Sequence, residues 1–467
     1  MPFIIPANTL ATGGYNVDNS LRFGVNTYMH KVLGSDNEKD TWTFSLWVKR
    51  GKIGSVQRMM THNGSTSGKF FYLRWEANEQ LHFHIGMSDG NFAGFDTTQV
   101  FRDRSAWYHI VCAVDTTQAT ESNRVKIYVN GSQVTAFGTA NYPARNVTAL
   151  LGNTATPMVV GTLYGSGFGI SSGSPQEFYD GYLAEVCFID DLQLAADSFG
   201  EFDEDSGIWK AIDVSGLTFG TDGFYLDFKA SGNLGNDANG GTDLTEVNLA
   251  ATDQTTDTPT NNFCTWNPLV VRGGSDDLVY IEGNTGVSSN QHATNNYTFG
   301  TQGFANGKWY WEAECETVGG EMHIGIVDSG SSTTGYPSTQ RNYRNNGNKE
   351  TNTGSAASFG DTYTDGDIIG VAVDLDNDSI YFAKNGTWQD SGDPTSGASK
   401  TGAAFTDITS ALFANFVLPW VSLVGVNGGA DSKCFANFGN PAFTISSGNA
   451  DGDGFGNFEY AVPSGYF

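Results

Sequence analysis

The chain has 467 residues, 39% of them hydrophobic and 13% aromatic, which is enough apolar mass for two domain cores and excludes a disordered chain. Acidic residues outnumber basic ones 51 to 24, for a net charge of −27, which argues against a nucleic-acid partner. The 59 glycines, only 16% charged residues and the near absence of 3.6-residue periodicity point away from helices and towards an all-β chain of short strands and tight turns.

Residues 1–20 begin "MPFIIPANTLATGG", without a basic start or a long apolar run, so no export signal is expected there. They read as an N-terminal arm, either docking on a partner or tucked as a strand onto its own sheet. From Leu21 a first domain is expected to run to residue 229. In "TWTFSLWVKR", Trp42, Phe44, Leu46 and Val48 alternate with Thr43, Ser45, Trp47 and Lys49, the period of a half-buried strand. "FFYLRW" (70–75) and "LHFHIG" (81–86) form a hairpin, with His82 and His84 on its solvated face. "WYHIVCAVD" (107–115) is a further strand, and "RVKIYVNGSQV" (124–134) predicts a strand, an Asn-Gly turn and the start of another. "FYDGYLAEVCFID" (178–190) adds one more. "DSFGEFDEDSGIWKAI" (198–212) is the one helical candidate.

Residues 230–266 are Gly/Asn/Asp/Thr-rich and weakly apolar, which reads as a polar linker. A second domain is expected over 267–467, with strands at "GKWYWEAEC" (307–315), "HIGIV" (323–327), "DIIGVAVDLD" (367–376), "SIYFAKNG" (379–386), "LPWVSLVGV" (418–426) and "KCFANFG" (433–439). The fold expected is all-β: two sequential antiparallel jelly-roll-type β-sandwiches with an N-terminal arm and a polar linker. The five cysteines lie far apart, mostly within apolar runs, and read as buried small hydrophobes.

These motifs carry a resemblance. The first domain resembles laminin-G-like, concanavalin-A-like jelly rolls through "WTFSLWVKR", "WYHIVCAVD", "IYVNG" and "DGYLAEVCFID". The second resembles the SPRY family through "GKWYWEAEC", "GDIIGVAVDLDNDSIYFAKNG" and "ANFG". The junction "TDTPTNNFCTWNPL" (256–269) and the ending "FGNFEYAVPSGYF" are similar to those of tailed-bacteriophage virion proteins that join the same two folds. The resemblance implies a fibre or decoration component of tail or capsid, made and assembled in the host cytoplasm and carried on the virion. Its implied partners are other virion proteins and host-surface glycans, with a homo-oligomer such as a trimer common among fibres, although no heptads support one here. Nucleic-acid binding and membrane insertion are not expected.

Asp374, Asp376 and Asp378 sit at alternate positions, as at the start of a calcium loop. An EF-hand-like loop would then need Gly at 379 and Glu at 385, where this chain has Ser379 and Asn385, so a turn is the expected reading and calcium the alternative. No cofactor is expected. A polysaccharide hydrolase would need two carboxylates across a cleft, and the nearest cluster, "EFDED" (201–205), lies in the helical candidate, so no enzyme is expected. Glycan contacts are expected from loops, with Tyr336, Arg341, Tyr343 and Arg344 the first candidates in "GYPSTQRNYRNNGNKE" (335–350). "THNGSTSG" (61–68) and "GMSDGNFAGF" (86–95) are rivals. A purely structural adaptor without glycan binding is the competing reading.

Overall fold

The protein is described by a computed structural model covering residues 14–34, 37–63, 70–152, 157–163, 175–269, 278–289, 296–331, 337, 339–351, 356–410, 413, 415–426 and 429–467. It divides into two compact units, Pro6–Asn262 and Phe263–Phe467. Residues 1–13 of the expected arm lie outside the described residues.

The first unit is an antiparallel sandwich of two eight-stranded sheets. Thr41–Arg50 is central in one sheet, between Trp107–Asp115 and Gly181–Asp190. The other runs from Phe137–Asn141 through Phe92–Val100, Gln80–Gly86, Phe70–Trp75 and Gln57–Asn63 to Met158–Val160, Tyr28–Lys31 and Thr245–Val247. The period of two puts Trp42, Phe44, Leu46 and Val48 into the core against Phe71, Leu73, Phe83 and Ile85 from the facing sheet. Asn130 and Gly131 adopt φ of 46° and 78°, the double left-handed turn expected of Asn-Gly, and return the chain from Val129 to Ser132.

The central strand is not half-buried. Thr43, Ser45, Trp47 and Lys49 on its other face are buried as well, because segments from outside the sheet lie over it. Val17 and Ala211 pack with Trp47, Trp107 and Tyr182, and Leu192 and Leu194 bond to the Thr43 hydroxyl at 2.7 and 2.8 Å. Asp257 takes the Lys49 ammonium at 2.6 Å and the Trp107 indole N–H at 3.0 Å.

Two sequence expectations are corrected here. Residues 198–212 form a hairpin, Gly200–Phe202 with Trp209–Ala211, rather than a helix. Gly200 lies so close to the Trp209 ring that a Cβ would fall 2.5 Å from it, and Asp203 caps the turn through the Ser206 backbone N–H at 2.9 Å. The expected linker is part of the first sandwich up to Asn262. Thr245–Val247 pairs with Tyr28–Lys31, Gln254–Thr255 pairs with Ser20–Phe23, and Asp237 meets Lys31 at 3.4 Å. Its apolar content is low because hydrogen bonds and ion pairs hold most of it to the sheets, with Leu234 and Leu244 reaching the core. Residues 14–20 of the expected arm follow the second alternative and lie on their own sheet, with the Val17 N–H donating to Thr260 at 3.0 Å.

The second unit, described by itself, pairs a seven-stranded with a six-stranded antiparallel sheet. Lys308–Val318 sits between Ile368–Asp374 and Ser432–Asn437, and Met322–Asp328 between Val417–Leu423 and Arg341–Arg344. Trp311, Ile324, Val371, Phe382 and Val421 fill the space between the sheets. On the far face of the first of these strands, Glu312 is buried and accepts from the backbone N–H groups of Glu459 and Tyr460 at 2.9 and 2.8 Å. Asn437 and the Tyr310 hydroxyl donate to it at 3.0 Å each. All five cysteines of the chain are buried.

A bulge interrupts Gly181–Asp190 between Ala184 and Cys187, and Glu185 takes a left-handed φ of 49° there. Its side chain accepts from the Tyr225 hydroxyl at 2.6 Å and the Tyr15 hydroxyl at 3.2 Å. Burial pushes its carboxyl up from 4.5 to about 7, against the two tyrosine hydrogen bonds, which lower it. A carboxyl with a raised folded-state value stabilises the fold below about pH 4.5, and that contribution is lost as pH rises through about 7. Between those limits the wild type should lose roughly 3 kcal/mol more stability than Glu185→Gln, read from urea midpoints across the pH range. Asp257→Ala leaves Lys49 buried without its carboxylate and should cost about 3–5 kcal/mol in urea denaturation of the full chain. The double variant Lys49→Met/Asp257→Leu should recover most of that loss.

Candidate functional site

Those of the proposed loop residues that the structure describes lie in a strand and not in a loop. Tyr336 lies outside the described residues. Arg341–Arg344 is a strand of the six-stranded sheet, and its alternation turns Arg341 and Tyr343 inward together. Arg341 is only 3% exposed, bidentate to Asp407 at 2.9 and 2.6 Å, with Phe405 and Phe413 against its guanidinium. Tyr343 is 0% exposed among Phe359, Tyr363 and Phe382, and its hydroxyl donates to the Asp361 carbonyl. Arg344 pairs with Glu321 at 2.8 Å. Two of the residues expected to meet a glycan are therefore core residues. The i, i+2 spacing of "RNYR" was the available signal.

The three aspartates shape a turn between Ile368–Asp374 and Ser379–Lys384, and each is held by a different partner. Asp374 accepts from the Asn377 backbone and side chain at 2.9 Å each and pairs with Lys308 at 2.9 Å. Asp376 accepts from the Gly307 N–H at 2.9 Å. Asp378, at φ 54°, accepts from the Thr409 N–H at 2.8 Å. Among the described residues these three carboxylates do not form a group close enough to share an ion.

What the fold does assemble is a row of flat side chains on the outer face of the first unit's second sheet. Tyr72 and His84 are register partners on neighbouring strands, and their rings stack at 4.8 Å and 6°, the separation that strand spacing imposes. Phe92 stacks on His84 at 5.0 Å from the next strand, and the Arg58 guanidinium lies 4.2 Å from the Tyr72 centroid on the other side. Phe70 and Arg74 flank the same rings, at 4.7 Å from His84 and 4.6 Å from Tyr72. Expected on a solvated face, His84 is instead buried in this ladder. Burial, with the nearby charges of His82, Arg74 and Arg58, lowers its pKa to about 3, so it stacks as a neutral ring.

Beside the ladder runs an ionic row in the same register: Arg74, His82 and Asp96. Arg74 holds Glu76 at 2.6 Å, His82 bonds to Asp96, and Arg58 holds Glu177 at 2.5 Å. Glu76, His82 and Asp96 bring one ligand atom each within 4.8 Å of one another. An ion there would have to displace the guanidinium of Arg74 from Glu76. Phe92 closes the ladder with 53% of its surface exposed, giving the row one open aromatic face next to half-buried His82 and Asp96. Of the sequence rivals, "GMSDGNFAGF" supplies Phe92; most of "THNGSTSG" lies outside the described residues.

One Ser–His contact has the wrong proton. His109 Nε2 lies 2.9 Å from the Ser45 hydroxyl, but its Nδ1 accepts the Trp209 indole N–H at 3.0 Å. The proton is then on Nε2, and the imidazole donates to Ser45 instead of activating it.

Residues 23–192 match the family described as the Concanavalin A-like lectin/glucanases superfamily, of laminin-G type, and residues 308–431 match the SPRY domain. No curated protein sequence matches the chain. Among solved structures, the SPRY domain of human HERC1 is similar at 17% identity and TM-score 0.27, covering 37% of this chain and 96% of that one. A putative carbohydrate binding protein from Bacteroides ovatus aligns at 15% identity and TM-score 0.33, over 50% of this chain and 58% of its own. A heptameric SAP-like pentraxin from Limulus polyphemus aligns at 14% identity and TM-score 0.28, over 39% and 80%. The chain is a laminin-G/concanavalin-A-like sandwich followed by a SPRY domain.

Proposed function

We propose that the protein is a virion component of a tailed bacteriophage, a fibre or decoration protein of tail or capsid, that recognises host-surface carbohydrate without cleaving it. The observation that carries the binding role is the exposed Phe92 ring at the end of the ladder, beside the ionic row of His82, Asp96, Arg74 and Glu76. A sugar ring stacks its C–H face on an aromatic side chain while fixed donors and acceptors meet its hydroxyls. A lectin-type sandwich as scaffold and a junction and ending similar to those of phage virion proteins support the wider reading. The protein would be made in the host cytoplasm, need no cofactor, and join other virion proteins, as a homo-oligomer such as a trimer. Its charge of −27 keeps it off nucleic acid.

The non-enzymatic reading rests on how the carboxylates of that face are engaged. Glu76 is held by Arg74 and Asp96 by His82, so they do not stand across an open cleft as acid and nucleophile.

The full-length protein, applied to an array of host-type polysaccharides, should bind at least one glycan. Phe92→Ala and His82→Ala should weaken that binding by about tenfold each, with unchanged thermal midpoints. Silence across the array would leave the structural adaptor, and release of reducing ends would make it a hydrolase. Immunogold labelling of intact particles should place it on the virion surface.

A further inference from the structure

A concavity in the first unit lies on its other sheet and has a chemistry different from that of the ladder face. It is a cavity of about 400 Å³, within the range that holds small ligands. Tyr128, Phe202, Trp209 and Ile212 form its apolar wall, and Asp197 and Glu201 stand among them. The Trp209 indole is fixed: its N–H is bound to His109 at 3.0 Å, and Phe202 meets it edge-on at 4.9 Å and 68°. Glycine is required beside it, since a Cβ at Gly131 would fall 2.2 Å from the ring, at a residue whose φ is already +78°. Phe202 presents its ring to solvent with 52% of its surface exposed.

The charges on this wall have one sign. Among the described residues, no basic side chain lines the cavity. Lys210 answers Glu201 at 3.2 Å but divides its charge with Asp203, also at 3.2 Å. Asp197 is exposed at the rim, and its carboxylate has no hydrogen-bond or ion-pair partner among the described residues. Aromatic faces carry a negative quadrupole, so three rings with two carboxylates attract a cation from both sources. A sugar would need donors as well as acceptors, and these side chains offer chiefly acceptors.

We propose that this cavity binds an organic cation, an alkylammonium group on a short chain, independently of the ladder face. The proton and charge balance need no reaction: the ammonium exchanges water for the rings of Tyr128, Phe202 and Trp209 and the carboxylate of Asp197. The group has two sources, a free small amine or an amine carried on a surface polymer.

Calorimetric titration of the full-length protein with choline chloride, against matched sodium chloride, tests it. Saturable binding is expected, with the neutral isostere 3,3-dimethylbutan-1-ol at least about tenfold weaker. Asp197→Asn and Phe202→Ala, both at exposed positions, should each weaken choline by about fivefold or more while leaving thermal midpoints and glycan binding unchanged. Choline binding without a response to glucosamine oligomers assigns the site to free amines, and a response to both extends it to polymer-borne amines. Absent binding of both, equal binding of the neutral isostere, or a wild-type response from Asp197→Asn overturns the proposal.

Discussion

A strand buried on both faces needs its polar side chains answered from outside its own sheet, and each of the two units is organised by that requirement. A buried charge without a partner costs several kcal/mol, so the answering group has to be supplied by the same fold. In the first unit the strand offers the cation, Lys49, and an irregular segment brings the carboxylate of Asp257 to it. In the second the strand offers the carboxylate, Glu312, and the C-terminal segment brings two backbone N–H groups. The covering segments are thus as much a part of each sandwich as its strands. Tyr466 is fully buried and donates to the Pro394 carbonyl at 3.0 Å, and the Tyr310 N–H donates to the Phe467 carbonyl at 2.8 Å, which seals the end of the chain onto the sheet.

The ladder face is the complementary case. There most of the charged groups are paired close to the face itself, Arg74 with Glu76 and His82 with Asp96, while Glu177 reaches Arg58 from an irregular segment. Arg58, Tyr72, His84 and Phe92 come from four successive strands, and their 4–5 Å separations are the sheet's own repeat. In the next row Arg74, His82 and Asp96 share one register, His82 bonding to Asp96 and Arg74 to Glu76. A face that satisfies itself can leave its last member, Phe92, open to solvent.

How much of this was legible follows from periodicity. Strands with alternating apolar residues were readable, as was the return at Asn385-Gly386, whose φ values of 46° and 76° match that at Asn130-Gly131. The segment at 230–262 was misread because covering a face by hydrogen bonds leaves no periodic signal: Asp237 and Asp257 look like linker aspartates until Lys31 and Lys49 are placed beside them. The hairpin at 200–211 was readable in principle, since Phe202 and Trp209 flank a turn ending at Gly207, whose φ is 68°. Among the site residues, Arg341 and Tyr343 were misplaced by treating a strand as a loop. The ladder was hidden for a different reason. Its members are contiguous only across strands, and register cannot be read from one sequence.

The overall charge and the local charge of the ladder face bear on different ligands. A net charge of −27 repels a polyanion at long range, but at physiological salt that field is screened within about 8 Å. At contact the side chains of the face decide. Arg58 and Arg74 stand against Glu76, Asp96 and Glu177, with His82 between them, so the row is close to electrically balanced and rich in both donors and acceptors. Such a row suits the proposed neutral hydroxyls better than it suits either a phosphate or an ammonium. The cavity beside Trp209 has the opposite character, with rings and two carboxylates among small and apolar residues. One sandwich therefore presents two surfaces of different charge balance, and the difference traces to the guanidinium groups of Arg58 and Arg74, which the lining of the cavity lacks.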